Sequence, residues 1–214
     1  MELHHTFDFV EGVRTAPIAP GNVISIFMAT NVPEMLISFL EIKQFYPASD
    51  EYFSYHDYDI KDVTKTLNDL QSYIDEEGPF DGAIGFSQGA GLIATYLLKW
   101  RLERQGDPFP FKCAIFFAGA SPIDVTSLAA GELKYVDAQS SHDSLISLPT
   151  AHIWGANDPL HEDAERLLSI CDKTRRNVYL HSQGHEIPSP KAKEDVQGCV
   201  RVIRRTIENA ELSV

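Results

Sequence analysis

Four short runs of this chain, residues 80–86, 111–118, 151–154 and 177–181, read as buried strands, and stretches with a helical spacing of apolar residues separate or follow them. A strand that is apolar on nearly every side chain has to be covered on both faces. The pattern therefore implies an α/β fold, a mostly parallel sheet with helices on both sides. Between residues 59 and 77, Ile60, Val63, Leu67, Leu70 and Ile74 recur at three- or four-residue steps, one face of an amphipathic helix that Gly78-Pro79 ends. Leu92, Ile93, Tyr96, Leu97 and Trp100 repeat the pattern after the first run, and residues 162–170 and 191–210 carry it further on. In such sheets ligands sit beyond the carboxyl ends of the strands, so the residues just after each strand are the ones to search for chemistry.

Upstream the pattern is less regular. Residues 6–10 form a leading segment, Ala16, Pro17, Pro20 and Gly21 mark a loop, residues 23–27 fit a strand and residues 34–45 fit a helix. With 214 residues, 43% of them hydrophobic and 23% charged, the whole chain 1–214 fits one folded domain. Thirty-one acidic residues against 18 basic ones leave a net charge of −13, which repels phosphate backbones and anionic lipid and argues against nucleic-acid or membrane partners. No stretch reaches the roughly 18 apolar residues of a membrane span, and residues 1–10 lack the apolar centre of a signal peptide. Cys113, Cys171 and Cys199 are odd in number and have no CxxC spacing. A reducing, cytoplasmic compartment suits them.

The chemistry begins directly after the first strand, at Gly85-Phe86-Ser87-Gln88-Gly89, a G-x-S-x-G pattern between a strand and a helix. A serine on such a sharp turn stands above the sheet. Side chains at Gly85 and Gly89 would crowd the strand or the helix, and the Gln88 N–H can stabilise an oxyanion. A serine hydroxyl is a weak nucleophile, so the pattern demands an acid and then a histidine downstream, each after a strand. Asp158, in Gly155-Ala156-Asn157-Asp158-Pro159, meets the first demand, although an aspartate before proline is also a common turn residue. Asp163 and Asp124 are weaker rivals. His185, in Ser182-Gln183-Gly184-His185-Glu186, meets the second, with Gly184 expected to let the loop turn back over the sheet. The other seven of the eight histidines fit no step of that order. His181 and His185 have a spacing that suits zinc only on a helix, whereas Gly184 and Pro188 make this a loop. No metal, cofactor or phosphate-binding loop is expected. The segment 118–148, between two strands, is a candidate substrate-covering insertion or a surface connection.

Taken together, Gly78-Pro79-Phe80-Asp81-Gly82, the run from Gly85 to Ala90, His152-Ile153-Trp154-Gly155 with Asp158-Pro159, and Gly184-His185-Glu186-Ile187-Pro188 resemble the FSH-type serine hydrolases, small α/β-hydrolases abundant in fungi. The resemblance covers about residues 59–214, with residues 6–21 similar in type. It implies hydrolysis of a carboxylic ester or acyl thioester. In some fungal members it implies release of a polyketide acyl chain from its carrier domain in secondary metabolism. By motif match it gives Ser87, Asp158 and His185 the roles of nucleophile, acid and base. The chain also departs from the family, whose members begin with a strand and an HGxG-like loop that supplies a second oxyanion donor. Here that beginning is missing, and the first residue resembles a point well inside the usual chain. Losing one such donor costs roughly a hundred- to a thousandfold in rate. A natural truncation, a shortened gene model and a chain that folds but barely turns over all fit, so a non-catalytic hydrolase-like binding protein stands as the alternative.

Overall fold

A computed structural model describes residues 6–10, 12, 14–16, 25–30, 52–137 and 144–212. In chain order these form β1 (Thr6–Val10), β2 (Arg14–Ala16), β3 (Ser25–Thr30), β4 (Tyr52–Ser54), α1 (Ile60–Glu77), β5 (Gly82–Phe86), α2 (Gln88–Glu103), β6 (Cys113–Phe117), α3 (Val125–Ala129), β7 (Thr150–Gly155), α4 (His161–Ser169), β8 (Arg176–His181) and α5 (Lys193–Glu211). Six strands make one sheet in the order β1-β3-β5-β6-β7-β8, and β2 pairs with β4 in a separate two-stranded sheet. Strands β5 to β8 run parallel, as the sequence pattern implies.

Every residue of β5, β6 and β7 is buried, and successive side chains of β5 and β6 enter different cores. Ala83, Ala114 and Phe116 join Val63, Leu67 and Leu70 of α1 and Ile93 and Leu97 of α2. Ile84, Phe86, Ile115, Phe117 and Ile153 pack with Cys199, Ile203 and Ile207 of α5. Helix α1 starts where Asp59 accepts from the Asp62 N–H at 3.0 Å, and it stops where the Gly78 N–H returns to the Ile74 carbonyl at 3.1 Å. The expected helix is thus present with its cap and its buried stripe.

Two expectations change. Strand β8 is not buried on both sides: Val178 is 39% and Leu180 51% exposed. It is the edge strand, paired only with β7, and α5 covers one face of it through Asn177, which donates to Thr206 at 2.9 Å, and Tyr179, whose ring lies against Gly198. The second concerns the place beside β5, an edge that a chain lacking the family's usual first strand has to cover. Strand β3 fills it, running antiparallel, with Ser25 opposite Phe86 and Ala29 opposite Gly82. Its backbone completes the β5 ladder, so β5 is not an exposed edge. The strand includes residues 25–27 of the 23–27 read from sequence and continues to Thr30, while residues 23 and 24 and the helix expected at 34–45 lie outside the described residues. The insertion 118–148 contains α3, capped by Asp124, and a bridge between Ile123 and Tyr135.

His152 of β7 is 2% exposed, with Nε2 3.0 Å from the Thr150 hydroxyl oxygen. Burial above all, with Arg176 adding to it, lowers its pKa from the ordinary 6.5 to about 3. The unfolded chain binds this proton between those values and the folded chain does not, so stability is present above 6.5 and is lost as the pH falls toward 3. His152→Phe is expected to flatten the slope of unfolding free energy against pH in that window. Urea denaturation at pH 7, 6, 5 and 4 reads the slope.

Candidate active site

Ser87 stands at the junction of β5 and α2 with φ 53° and ψ −120°, a conformation that side chains other than glycine's rarely adopt. Four backbone hydrogen bonds hold it there. Its N–H donates to the Phe117 carbonyl at 2.9 Å, and its carbonyl accepts from Ala90 at 3.1 Å, Gly91 at 3.2 Å and Ala120 at 3.0 Å. The turn brings α2 across the strand so closely that a Cβ on Gly85 would lie 2.6 Å from the Ala90 nitrogen and 2.7 Å from the Gly89 carbonyl carbon. Only glycine fits at that position.

Gln88 is the first residue of α2, so its N–H has no intrahelical acceptor and sits at the positive end of the helix. Its side chain does something that the sequence reading did not foresee. The amide is buried, accepts from the Tyr55 N–H at 2.9 Å and donates to the His56 carbonyl at 3.0 Å. It thereby fastens the segment after β4 to the elbow. Tyr55 adds an anchor of its own, donating its hydroxyl to the Val10 carbonyl at 2.6 Å.

The three separated side chains meet. His185 Nε2 lies 3.0 Å from Ser87 Oγ, and His185 Nδ1 lies 2.8 Å from Asp158 Oδ2. The Asp158 side chain is 0% and the His185 side chain 8% exposed. With the carboxylate accepting a hydrogen bond from the Nδ1–H, Nε2 is the acceptor facing the serine hydroxyl. The other Asp158 oxygen accepts from the Leu160 N–H at 2.8 Å. One carboxylate therefore serves both readings of Asp158, with one oxygen closing the turn and the other holding the imidazole. The Phe86 ring packs beside His185, centroids 5.2 Å apart.

The rivals are engaged elsewhere. Asp124 caps α3, accepting from Thr126 at 2.8 Å and Ser127 at 3.1 Å, and Asp163 pairs with Arg166 at 3.4 Å and accepts the Ser121 hydroxyl. His181 is buried, its Nδ1 accepts from the Gln183 N–H at 3.3 Å, and burial lowers its pKa. Among the described residues no three His, Cys, Asp or Glu side chains converge as a metal site requires, and no helix is long and apolar enough to cross a membrane.

The loops bearing Asp158 and His185 are knitted together by bonds that motif reading missed. The Ala156 N–H donates to the His181 carbonyl at 2.8 Å, the Asn157 N–H to the Gln183 carbonyl at 3.1 Å, and the Asn157 side-chain amide to the Ser182 carbonyl at 2.8 Å. The constrained glycine is Gly155 rather than Gly184. A Cβ on Gly155 would meet the carbonyl oxygens of Gln183 at 2.1 Å and Gly184 at 2.3 Å. At Gly184 a Cβ would find only the Asn157 oxygen, at an ordinary 3.8 Å, and the backbone there is not left-handed. The Asn-Asp-Pro order next to the acid was the one available hint of Asn157's part.

Comparison with known proteins identifies the family. Residues 22–197 match the family described as serine hydrolase (FSH1). The chain is 33% identical over 206 residues to Esterase FPY3 of Fusarium mangiferae, an alignment covering 96% of this chain and 84% of that protein. It is 32% identical over 146 residues to Esterase C25G4.2 of Caenorhabditis elegans, covering 64% of this chain and 58% of that one. It is 31% identical over 129 residues to Hydrolase phiM of a fungal species, covering 60% of each. The chain thus spans less than two thirds of the latter two relatives. Among solved structures, acyl-protein thioesterase 2 of Zea mays superposes with a TM-score of 0.52 at 14% identity, covering 96% of this chain and 99% of that one, a likeness of fold.

Gly155→Ala is expected to push the base loop outward and lengthen the His185–Ser87 approach. A displacement of this kind costs about a hundredfold in reactivity. The rate of labelling by a fluorophosphonate, with circular dichroism confirming the fold, measures it.

Proposed function

The chain belongs to the FSH1 serine hydrolase family, and on that premise we propose that it cleaves carboxylic esters or acyl thioesters with Ser87 as nucleophile, His185 as general base and Asp158 as the group that orients the base. The observation that carries this reading is the continuous hydrogen-bond chain Ser87–His185–Asp158, closed at 3.0 Å and 2.8 Å with the Asp158 side chain wholly buried.

The Ser87 oxygen attacks the acyl carbon while its proton passes to His185 Nε2, and the carbonyl electrons move onto oxygen, which the Gln88 N–H stabilises. Asp158 balances the imidazolium across the Nδ1 bond. Collapse breaks the bond to the alcohol or thiol, which leaves with the proton from His185. Water then attacks the acyl-serine, gives a proton to Nε2, and release of the acid returns that proton to Ser87.

The resemblance to FSH-type enzymes supports a finer reading, in which the substrate is an acyl thioester on a carrier domain and the released acid is a polyketide of secondary metabolism. Residues 1–214 act as one domain, and the compartment is the cytoplasm. Burial pushes the pKa of Cys113, Cys171 and Cys199 up to about 12, so these thiols stay protonated and unreactive there.

Short-chain aryl esters and acyl thioesters are expected to be hydrolysed, and a fluorophosphonate is expected to label the protein once, at Ser87. Ser87→Ala removes labelling and lowers kcat by at least about a thousandfold. Well-folded wild type that is neither labelled nor active on either substrate class would support a binding role instead.

A further inference from the structure

The base loop is short, and Ser182 stands only three residues before His185. Ser182 is gripped from two directions. Its carbonyl accepts the Asn157 amide, as described, and on its other side stands Asp195 in the first turn of α5. The Asp195 carboxylate accepts the Ser182 hydroxyl at 2.8 Å and the Ser182 N–H at 3.4 Å to each oxygen, and it also accepts the Tyr179 hydroxyl at 3.0 Å. Tyr179 itself packs directly on α5: a Cβ on Gly198 would lie 2.0 Å from its ring, so strand and helix are in close contact there. One carboxylate thus ties the end of β8, the base loop and the start of α5.

Beside Ser182, the buried His181 accepts from the Gln183 N–H through Nδ1 at 3.3 Å. The Ser182 bonds keep the Asp195 carboxyl below its ordinary range, and the helix N-terminus favours its charge, so it remains an acceptor at any pH where an imidazole can act as base. A carboxylate suits the place because all of its neighbours there are donors.

From this convergence we infer that Asp195, acting through Ser182, is a positioning residue for the base of the proposed triad and sets the reach of His185 Nε2 to Ser87. The inference rests on the reading of the site given above. The alternative is that Asp195 is only a favourable charge at the start of a helix. In that case Glu194, in the same turn, is its equivalent.

The variants Asp195→Asn, Asp195→Glu, Ser182→Ala, the double Asp195→Asn/Ser182→Ala, Glu194→Gln and Ser87→Ala separate the two. Aryl-ester kinetics, the rate of fluorophosphonate labelling and Tm are measured for each. Positioning predicts that Asp195→Asn and Ser182→Ala each lower kcat about tenfold or more with KM unchanged, and that labelling slows by the same factor. The double variant is expected to be no worse than the poorer single one, because both remove one contact. Asp195→Glu restores part of the rate, and Glu194→Gln leaves kcat at the wild-type value. If Asp195→Asn and Ser182→Ala stay within about twofold of wild type in kcat and labelling while Ser87→Ala is inactive, the inference fails and the triad reading stands. If Ser87→Ala remains active, both fall together.

Discussion

The passage of α2 across the end of β5 is the constraint on which the rest of the site depends. It leaves no room for a side chain at Gly85 and forces Ser87 into a backbone conformation with φ 53°. A non-glycine residue held in such a region costs on the order of 1–3 kcal/mol, and it persists only where the surroundings over-determine it. Here they do, because the Ser87 N–H and carbonyl are tied to Phe117, the last residue of β6, and to Ala120 just beyond it, as well as to α2. Ala118, at the end of that strand, shares the positive φ at 43°. The elbow is therefore a feature of two adjacent parallel strands, and the burial of β5 and β6 on both faces is what keeps it rigid.

A second constraint is electrostatic. The Asp158 side chain is wholly buried, and a carboxylate taken out of water without partners is strongly disfavoured. Its two oxygens are satisfied by the Leu160 N–H and the His185 ring, so the imidazole is held by the same bonds that make burial of the acid tolerable. The two loops at the ends of β7 and β8 are stitched by backbone bonds through Ala156 and Asn157, with Gly155 allowing the approach. Removal of any one of these contacts acts on the acid and the base together.

The sheet on the other side of β5 is completed in an unexpected direction. Since β3 is antiparallel to β5, its first residue, Ser25, lies opposite Phe86, beside the elbow. A parallel strand in that place would bring its last residue there, followed by a loop over the serine. Strand direction thus decides which backbone groups stand next to the reacting atoms. On the remaining side, the Gln88 side chain draws the segment at Tyr55 and His56 against the start of α2.

What the sequence determined by itself was local. The apolar runs, the stripe and cap of α1, the turn at Gly85-Phe86-Ser87-Gln88-Gly89 and the order of serine, acid and histidine all follow from periodicity and turn chemistry within a few residues. These were enough to name Ser87, Asp158 and His185. The tertiary structure alone decided that β8 is an edge with Leu180 half in solvent, that β3 runs antiparallel, that Gly155 rather than Gly184 is the constrained glycine, and that Asn157 and Asp195 brace the base loop. The physical reason is that pairing direction, edge position and the partners of a polar side chain depend on which distant segments the closed chain brings together. Ser87 and His185, 98 positions apart, are the plainest example, because nothing near either residue records the bond between them.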